Sequence, residues 1–308
     1  MGKRYLHVYD LGSYVHGGLV NKYCYFEGGI VGSATEGWSS QTLEAGPVSL
    51  VFQSIKQYKD DSDFIFCSDR TPTVKQAMYS GYKASRTHSP EIERAKRTLE
   101  MCLEYCGYDV YYDDGYEADD FVYNIVNKLV NKYEHVYVHT GDADLYCLVS
   151  KKVSIAKTLT NTKEVNLYNY SEMCERNNHI LYNTVTIRKI LYGCRSDEIP
   201  GLSNQEAKLA STWVNMNEKY APLFGDRAYI MGTLARVTPT IGKQCELVFP
   251  LPVETRDTIA EGDYEKVIAL GQLAHVNKFK HERISESTRL KAEGFVLEMC
   301  EKLYKDII

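Results

Sequence analysis

The chain has 308 residues, 44% of them hydrophobic, and a net charge of −5. That is enough apolar content for a sizeable core, in two domains or in one domain with a large extension. No segment reaches the roughly 18–20 apolar residues of a membrane span, and "MGKRYLHVYDLGS" has no long apolar leader, so a soluble, cytoplasmic protein is expected.

In chain order, "RYLHVYDLGS" is an apolar run ending in an acid and a glycine, the pattern of a buried strand entering a loop. "VSLVFQSIKQY" has helical spacing. "SDFIFCSDRTP" repeats the strand-then-acid pattern and ends in a Pro-containing turn. "SPEIERAKRTLEMCLEYCG" starts at a Ser89-Pro90 cap and stops at Gly107, and "EADDFVYNIVNKLVNKY" is a further helix. "HVYVHTGDADL" repeats the strand pattern a third time. Strands alternating with helices predict an α/β fold, a mainly parallel sheet with helices on both faces. Beyond about residue 165 the segments look helical, including "TVTIRKILYGC" and "STRLKAEGFVLEMCEKLYKDI". This suggests a core over 1–165 and a helical C-terminal region over 166–308.

Nine cysteines, with no CxxC pair, fit a reduced intracellular protein better than a disulfide framework. Cys102 and Cys106 lie four apart on one helix face and read as buried thiols.

The acids are the informative residues. In parallel sheets, ligands bind outside the carboxyl ends of the strands, which places Asp10, Asp69, Asp142 and Asp144 on one edge. Glu117, Asp119 and Asp120 crowd "YEADD", and Asp197 follows in "RSDEIPG". An isolated EADD could serve the positive end of a helix dipole, and an isolated GDAD a turn. Of these eight acids most are expected at one rim, where they would repel one another unless neutralised. Hard divalent cations, Mg²⁺ or Mn²⁺, resolve that conflict, and two such ions suit phosphoryl displacement. Setting the eight acids aside turns the net charge of −5 into +3, which leaves a polyanion plausible as partner. No GxSxG, Walker loop or HExxH motif occurs.

In motif order the chain resembles the flap endonuclease / 5′→3′ exonuclease family, both the stand-alone bacteriophage type and the 5′-nuclease domain of bacterial family A DNA polymerases. The likeness runs from about residue 5 to 202. "VYDLGS" matches the opening aspartate, "FCSDR" the second acid, and "YKASR" (82–86) the arch-base motif YKANR. "GYEADD" (115–120), "TGDADLYCLV" (140–149) and "GCRSDEIPGL" (193–202) match three further blocks. The resemblance implies a PIN/5′-nuclease-like sheet with a short helical arch over about 80–100, and a divalent-metal-dependent, structure-specific 5′ nuclease. Asp10, Asp69, Glu117 and Asp119 would surround a first ion, with Asp120 near it. Asp142 would lie between the ions, and Asp144 and Asp197 would hold the second. Lys83 and Arg86 would meet the scissile phosphate, Tyr82 could stack on a nucleotide, and Lys208 could contact the duplex. Implied partners are DNA with a 5′ flap, nick or single-stranded 5′ end, RNA–DNA hybrids, and replication proteins. The expected setting is phage DNA replication in the host cytoplasm.

Two departures stand out. The first aspartate of GDxSDN is Cys194, a soft and poor partner for Mg²⁺, which weakens the second site unless Glu198 replaces the lost oxygen. The GIG turn expected after IPG is absent from "IPGLSNQEAKLAS", leaving a shortened helix-hairpin-helix-like element. These departures keep open a second reading, a branched-DNA-binding protein weakened in catalysis. Arg94, Lys96 and Arg97 could line a single-strand path, and "NKFKHER" is a basic patch.

Overall fold

A computed structural model of the chain describes residues 3–20, 23–26, 29–33, 40–87, 89–158, 165–169, 189–204, 239–253 and 285–305. The elements are β1 (Tyr5–Asp10), α1 (Leu11–Val20), β2 (Tyr23–Phe26), β3 (Gly29–Ser33), α2 (Ser40–Tyr58), β4 (Ser62–Cys67), α3 (Thr73–Met78), α4 (Pro90–Tyr105), β5 (Asp109–Tyr111), α5 (Ala118–Leu129), β6 (His135–His139), β7 (Val153–Thr158), β8 (Val165–Tyr168), α6 (Pro239–Val248) and α7 (Glu286–Lys305). Six strands form one sheet in the order β5-β4-β1-β6-β7-β8. The first five are parallel, and β8 returns antiparallel to β7.

Side chains alternate along each strand, so each strand feeds two cores. Tyr9, Phe64, Phe66 and Val110 face a cluster built with α1, α2, α4 and α7. Leu6, Val8, Ile65, Val136 and Val138 face the opposite cluster, with Phe121, Val122 and Ile125 of α5. Each such buried side chain contributes about 1.5–3 kcal/mol. The expected parallel sheet with helices on both faces is therefore present.

The differences from the sequence reading have physical reasons. "DLGS" does not lead into a loop: α1 begins at Leu11, because Leu11, Tyr14 and Val15 bury completely against α2 and α4 and outweigh the low helix propensity of its glycines. The expected boundary at 165 falls at the first residue of β8, so the sheet runs on to Tyr168. The C-terminal helix does not stand apart. Val296, Met299 and Cys300 of α7 sit in the α2–α4 core, and Tyr108 donates to buried Glu293 at 2.5 Å. Cys102 and Cys106 are buried thiols in that core, and Cys102 is pushed up to about 12 by burial. Among the described residues no helix is long and apolar enough to cross a membrane. Lys208 and the basic patch at 278–283 lie outside the described residues.

Candidate active site

Parallel pairing brings three strand ends to one edge. Asp10 closes β1 opposite Cys67 of β4, and Asp69 lies two residues past β4. Asp142 and Asp144 follow β6, whose His139 pairs with Tyr9. Asp10, 5% exposed, accepts from Ser13 Oγ at 2.6 Å and from Thr140 Oγ1 at 2.7 Å, which fixes its orientation. Asp69 Oδ1 accepts from the Ala118 backbone at 2.9 Å and so ties β4 to the start of α5. Gly12 leaves room for both carboxylates: a Cβ would lie 2.5 Å from Asp69 Oδ2 and 3.2 Å from Asp10 Oδ1, so Asp69 would have to move.

Asp142 caps a 3-10 turn over Ala143–Leu148 by accepting from the Asp144 backbone at 2.9 Å. Oxygens of Asp119, Asp142 and Asp144 lie within 4.8 Å of one another. Among the described residues no lysine or arginine side chain pairs with Asp10, Asp119 or Asp142, whereas Asp144 has Lys189. Burial, then Asp69, pushes the Asp10 carboxyl up to about 6. Burial, then Asp142, raises Asp119 further above the carboxylate range. Asp144 is also raised, by burial and Asp142, with Lys189 opposing.

The neighbouring acids are compensated. Glu117 is paired with Lys75 at 3.1 Å and with Lys83, and accepts from the Tyr82 hydroxyl at 2.7 Å. Burial would raise its pKa, but the two ammonium groups prevail and hold it at about 2. Asp197 lies 2.7 Å from Lys189, 3.5 Å from Lys83 and 3.8 Å from Arg86. Against the effect of burial, Lys83 and then Lys189 hold it well below the usual range. Lys189 also pairs with Asp144.

Two turns lock together beside this cluster. The backbone N–H of Lys83 donates to the Asp197 carbonyl at 3.0 Å, and Ser85 N–H donates to Glu198 at 2.8 Å. Lys83 and Glu198 both have positive φ, 49° and 56°. Gly193, at φ +78°, allows Cys194 and Ile199 to pair as a bridge: a Cβ there would stand 2.4 Å from the Ile199 carbonyl.

The structure brings Asp10, Asp69, Asp119, Asp142 and Asp144 together, with Glu117, Asp197, Lys83 and Arg86 adjacent. Asp120 differs from the expectation. It is fully buried, and its two oxygens accept from the backbones of Glu117 at 3.0 Å and Leu251 at 2.6 Å. It closes the capping box of α5 and is not among the clustered metal-ligand candidates. Tyr82, expected to stack on a nucleotide, is 3% exposed and packed with Ile199 and Leu247. Lys96 is buried and donates to the Asp69 carbonyl at 3.0 Å, while Arg97 pairs with Glu100 at 3.3 Å. Lys96 supports Asp69 and does not line a strand path. Glu198, committed to Ser85, does not replace the acid missing at Cys194.

Sequence reasoning missed Lys75 and Lys189. Lys75 is the single charge in "TPTVKQAM", an isolation that could have flagged it, whereas Lys189 sits beside Arg188 in "TIRKILYGC" and carries no such local signal.

Fold and site define a class of α/β proteins whose carboxylates collect at the carboxyl edge of a parallel sheet. The family described as 5′-3′ exonuclease, N-terminal resolvase-like domain, matches residues 31–178. The 5′-3′ exonuclease of Mycoplasma pneumoniae is 29% identical over 148 residues, 48% of this chain and 50% of that protein. The thermostable DNA polymerase I of Thermus filiformis is 30% identical over 182 residues, 56% of this chain and 21% of that protein. The chain thus spans about half the length, or less, of the curated relatives it matches. A bacteriophage T5 flap endonuclease, solved in a pseudo-enzyme–product complex with DNA and metal ions, shares the fold with a TM-score of 0.53 at 19% identity, over 97% of this chain and 100% of that one. A T5 5′-exonuclease with bound divalent zinc ions gives a TM-score of 0.53 at 18% identity, over 96% of this chain and 100% of that one. Residues 31–178, just under half of the chain, match that 5′-3′ exonuclease domain, and the findings together support a likeness to the flap endonuclease / 5′→3′ exonuclease family.

Proposed function

We propose that the chain is a divalent-metal-dependent, structure-specific 5′ nuclease, hydrolysing phosphodiester bonds at 5′ flaps, nicks or single-stranded 5′ ends of DNA, and in RNA primers on DNA. One observation carries the reading. Five carboxylates, Asp10, Asp69, Asp119, Asp142 and Asp144, gather at one sheet edge, and Lys83 and Arg86 stand across from them on the Asp197 side. The donor set fits a hard cation: it is all oxygen and partly buried, and burial together with neighbouring carboxylates raises the pKa of Asp10 and Asp119 within it.

Mg²⁺ or Mn²⁺ held by these acids supplies a water of lowered pKa and an electrophile for the phosphate. The chain's own groups do the rest. Ser13 and Thr140 hold Asp10 in one orientation. Lys83 and Arg86 offer positive charge where the phosphoryl transition state becomes more anionic. Arg86, with a half-exposed side chain, is the first of the two to meet a substrate phosphate. No side-chain nucleophile is needed. The natural setting of this reading is primer removal in phage replication, with residues beyond the sheet, including Lys208, contributing to the duplex grip.

The competing reading is a branched-DNA-binding protein weakened in catalysis, favoured by Cys194 and by the engagement of Asp144 and Asp197 with Lys189. The deciding experiment is cleavage of a fluorescent 5′-flap duplex with Mg²⁺, Mn²⁺ or EDTA, by wild type and Asp142→Ala. Metal-dependent cutting near the junction, lost in the variant, supports the nuclease. Flap binding with no cutting in any metal transfers the conclusion to the binding protein.

A further inference from the structure

We infer that this chain binds one divalent ion rather than two, and that the Lys189 ammonium is the resident cation between Asp144 and Asp197, where a second ion would otherwise sit. The inference rests on the nuclease reading and sharpens its metal requirement.

Both carboxylates of that position are committed to side-chain cations. Lys189 lies in the helical residues 189–192 and donates to Asp144 Oδ2 and, at 2.7 Å, to Asp197 Oδ2. The other Asp197 oxygen faces Lys83 at 3.5 Å and Arg86 at 3.8 Å. A divalent ion brought between these two carboxylates would have to displace the Lys189 ammonium from both, and would stand close to Lys83 and Arg86.

The turn that carries Asp197 offers no further acid to this position. Cys194 stands where the resemblance expects a carboxylate, with Sγ 3.0 Å from Ser196 Oγ. The Glu198 carboxylate is turned onto the Ser85 backbone at 2.8 Å. The cavity bordered by Asp119, Asp144, Lys83, Lys189 and Asp197 has a volume of about 20 Å³, room for one water-sized occupant.

The other half of the cluster is the opposite case. Among the described residues, no lysine or arginine pairs with Asp10, Asp69, Asp119 or Asp142, so an ion there gains attraction without displacing a cation. The chain thus supplies a tethered positive charge on one side and leaves the other side for the metal. The loss of an acid at Cys194 and the presence of Lys189 are complementary: fewer negative charges need fewer external ones.

The test is a count of bound Mn²⁺ on the full chain, by calorimetry and by electron paramagnetic resonance of free Mn²⁺, for wild type and for the double variant Lys189→Gln, Cys194→Asp. The inference expects one ion in wild type and two in the variant. Two ions in wild type, or one in both, would overturn it. Should the variant not fold, anomalous diffraction from wild-type crystals soaked in Mn²⁺ decides. One peak near Asp119 and Asp142, with Lys189 still between Asp144 and Asp197, supports the inference. A second peak with Lys189 swung aside refutes it. Failure of the underlying reading looks different: no Mn²⁺ bound at all and no flap cut with any metal.

Discussion

Lys83 and Asp197 are joined twice, once by the Lys83 N–H on the Asp197 carbonyl at 3.0 Å and once by the ammonium 3.5 Å from the carboxylate. The first contact helps hold Lys83 at φ 49°, a region that costs a side-chain-bearing residue about 1–2 kcal/mol. The second directs its charge toward the acid cluster. Lys83→Gly is therefore expected to be more stable than Lys83→Ala by about 1 kcal/mol in urea unfolding. Both variants should cut a flap at least about 100-fold more slowly than wild type while binding Mn²⁺ normally. Equal stability of the two would show that the backbone there is not strained.

Asp119 and Asp120 are neighbours with opposite roles. Asp120→Ala removes the acceptor of two buried amides, those of Glu117 and Leu251, and should cost about 2–5 kcal/mol of stability with little change in metal affinity. Asp119→Asn relieves repulsion from Asp142 and Asp10, so the ion-free variant should unfold at higher urea than wild type. It should bind Mn²⁺ at least about tenfold more weakly. Urea titrations with and without Mn²⁺ check both statements.

Metal binding should depend on pH with a defined sign. Burial and Asp69 raise the Asp10 carboxyl to about 6, so below that pH protons and metal compete for it. Mn²⁺ affinity is expected to fall by about tenfold per pH unit below about 6 and to level off above it, with proton release on binding in the lower range. In the ion-free protein this raised pKa has the opposite effect on stability: the native state holds the proton more tightly than the unfolded chain. Its contribution is thus favourable at low pH and declines as pH rises through about 4 to 6. Calorimetry in buffers of different ionisation enthalpy measures the coupling directly.

Tyr82→Phe tests whether the tyrosine of the arch-base motif is structural. Its hydroxyl donates to charged Glu117 at 2.7 Å, so its loss should cost about 1.5–3 kcal/mol. Because the ring is buried, affinity for a flap duplex should stay within about twofold of wild type, read by fluorescence anisotropy. A large loss of affinity with stability intact would restore the stacking role.

The sequence by itself determined the parallel sheet and the identity of most of its rim. Strand alternation, the cap at Ser89-Pro90 and acids placed after apolar runs are local signals, and each reports on residues within a few positions. On that basis Asp10, Asp69, Asp142 and Asp144 could be assigned to one edge before any coordinates. The tertiary structure decided which acids are left without a partner. Asp119 and Asp120 are adjacent in sequence, yet one joins the carboxylate cluster and the other binds Leu251, 131 residues away. Lys189 meets Asp144 across 45 residues, and Tyr82 meets Glu117 across 35. Charge compensation depends on distances of a few ångströms in space, and no local pattern in the chain encodes those distances.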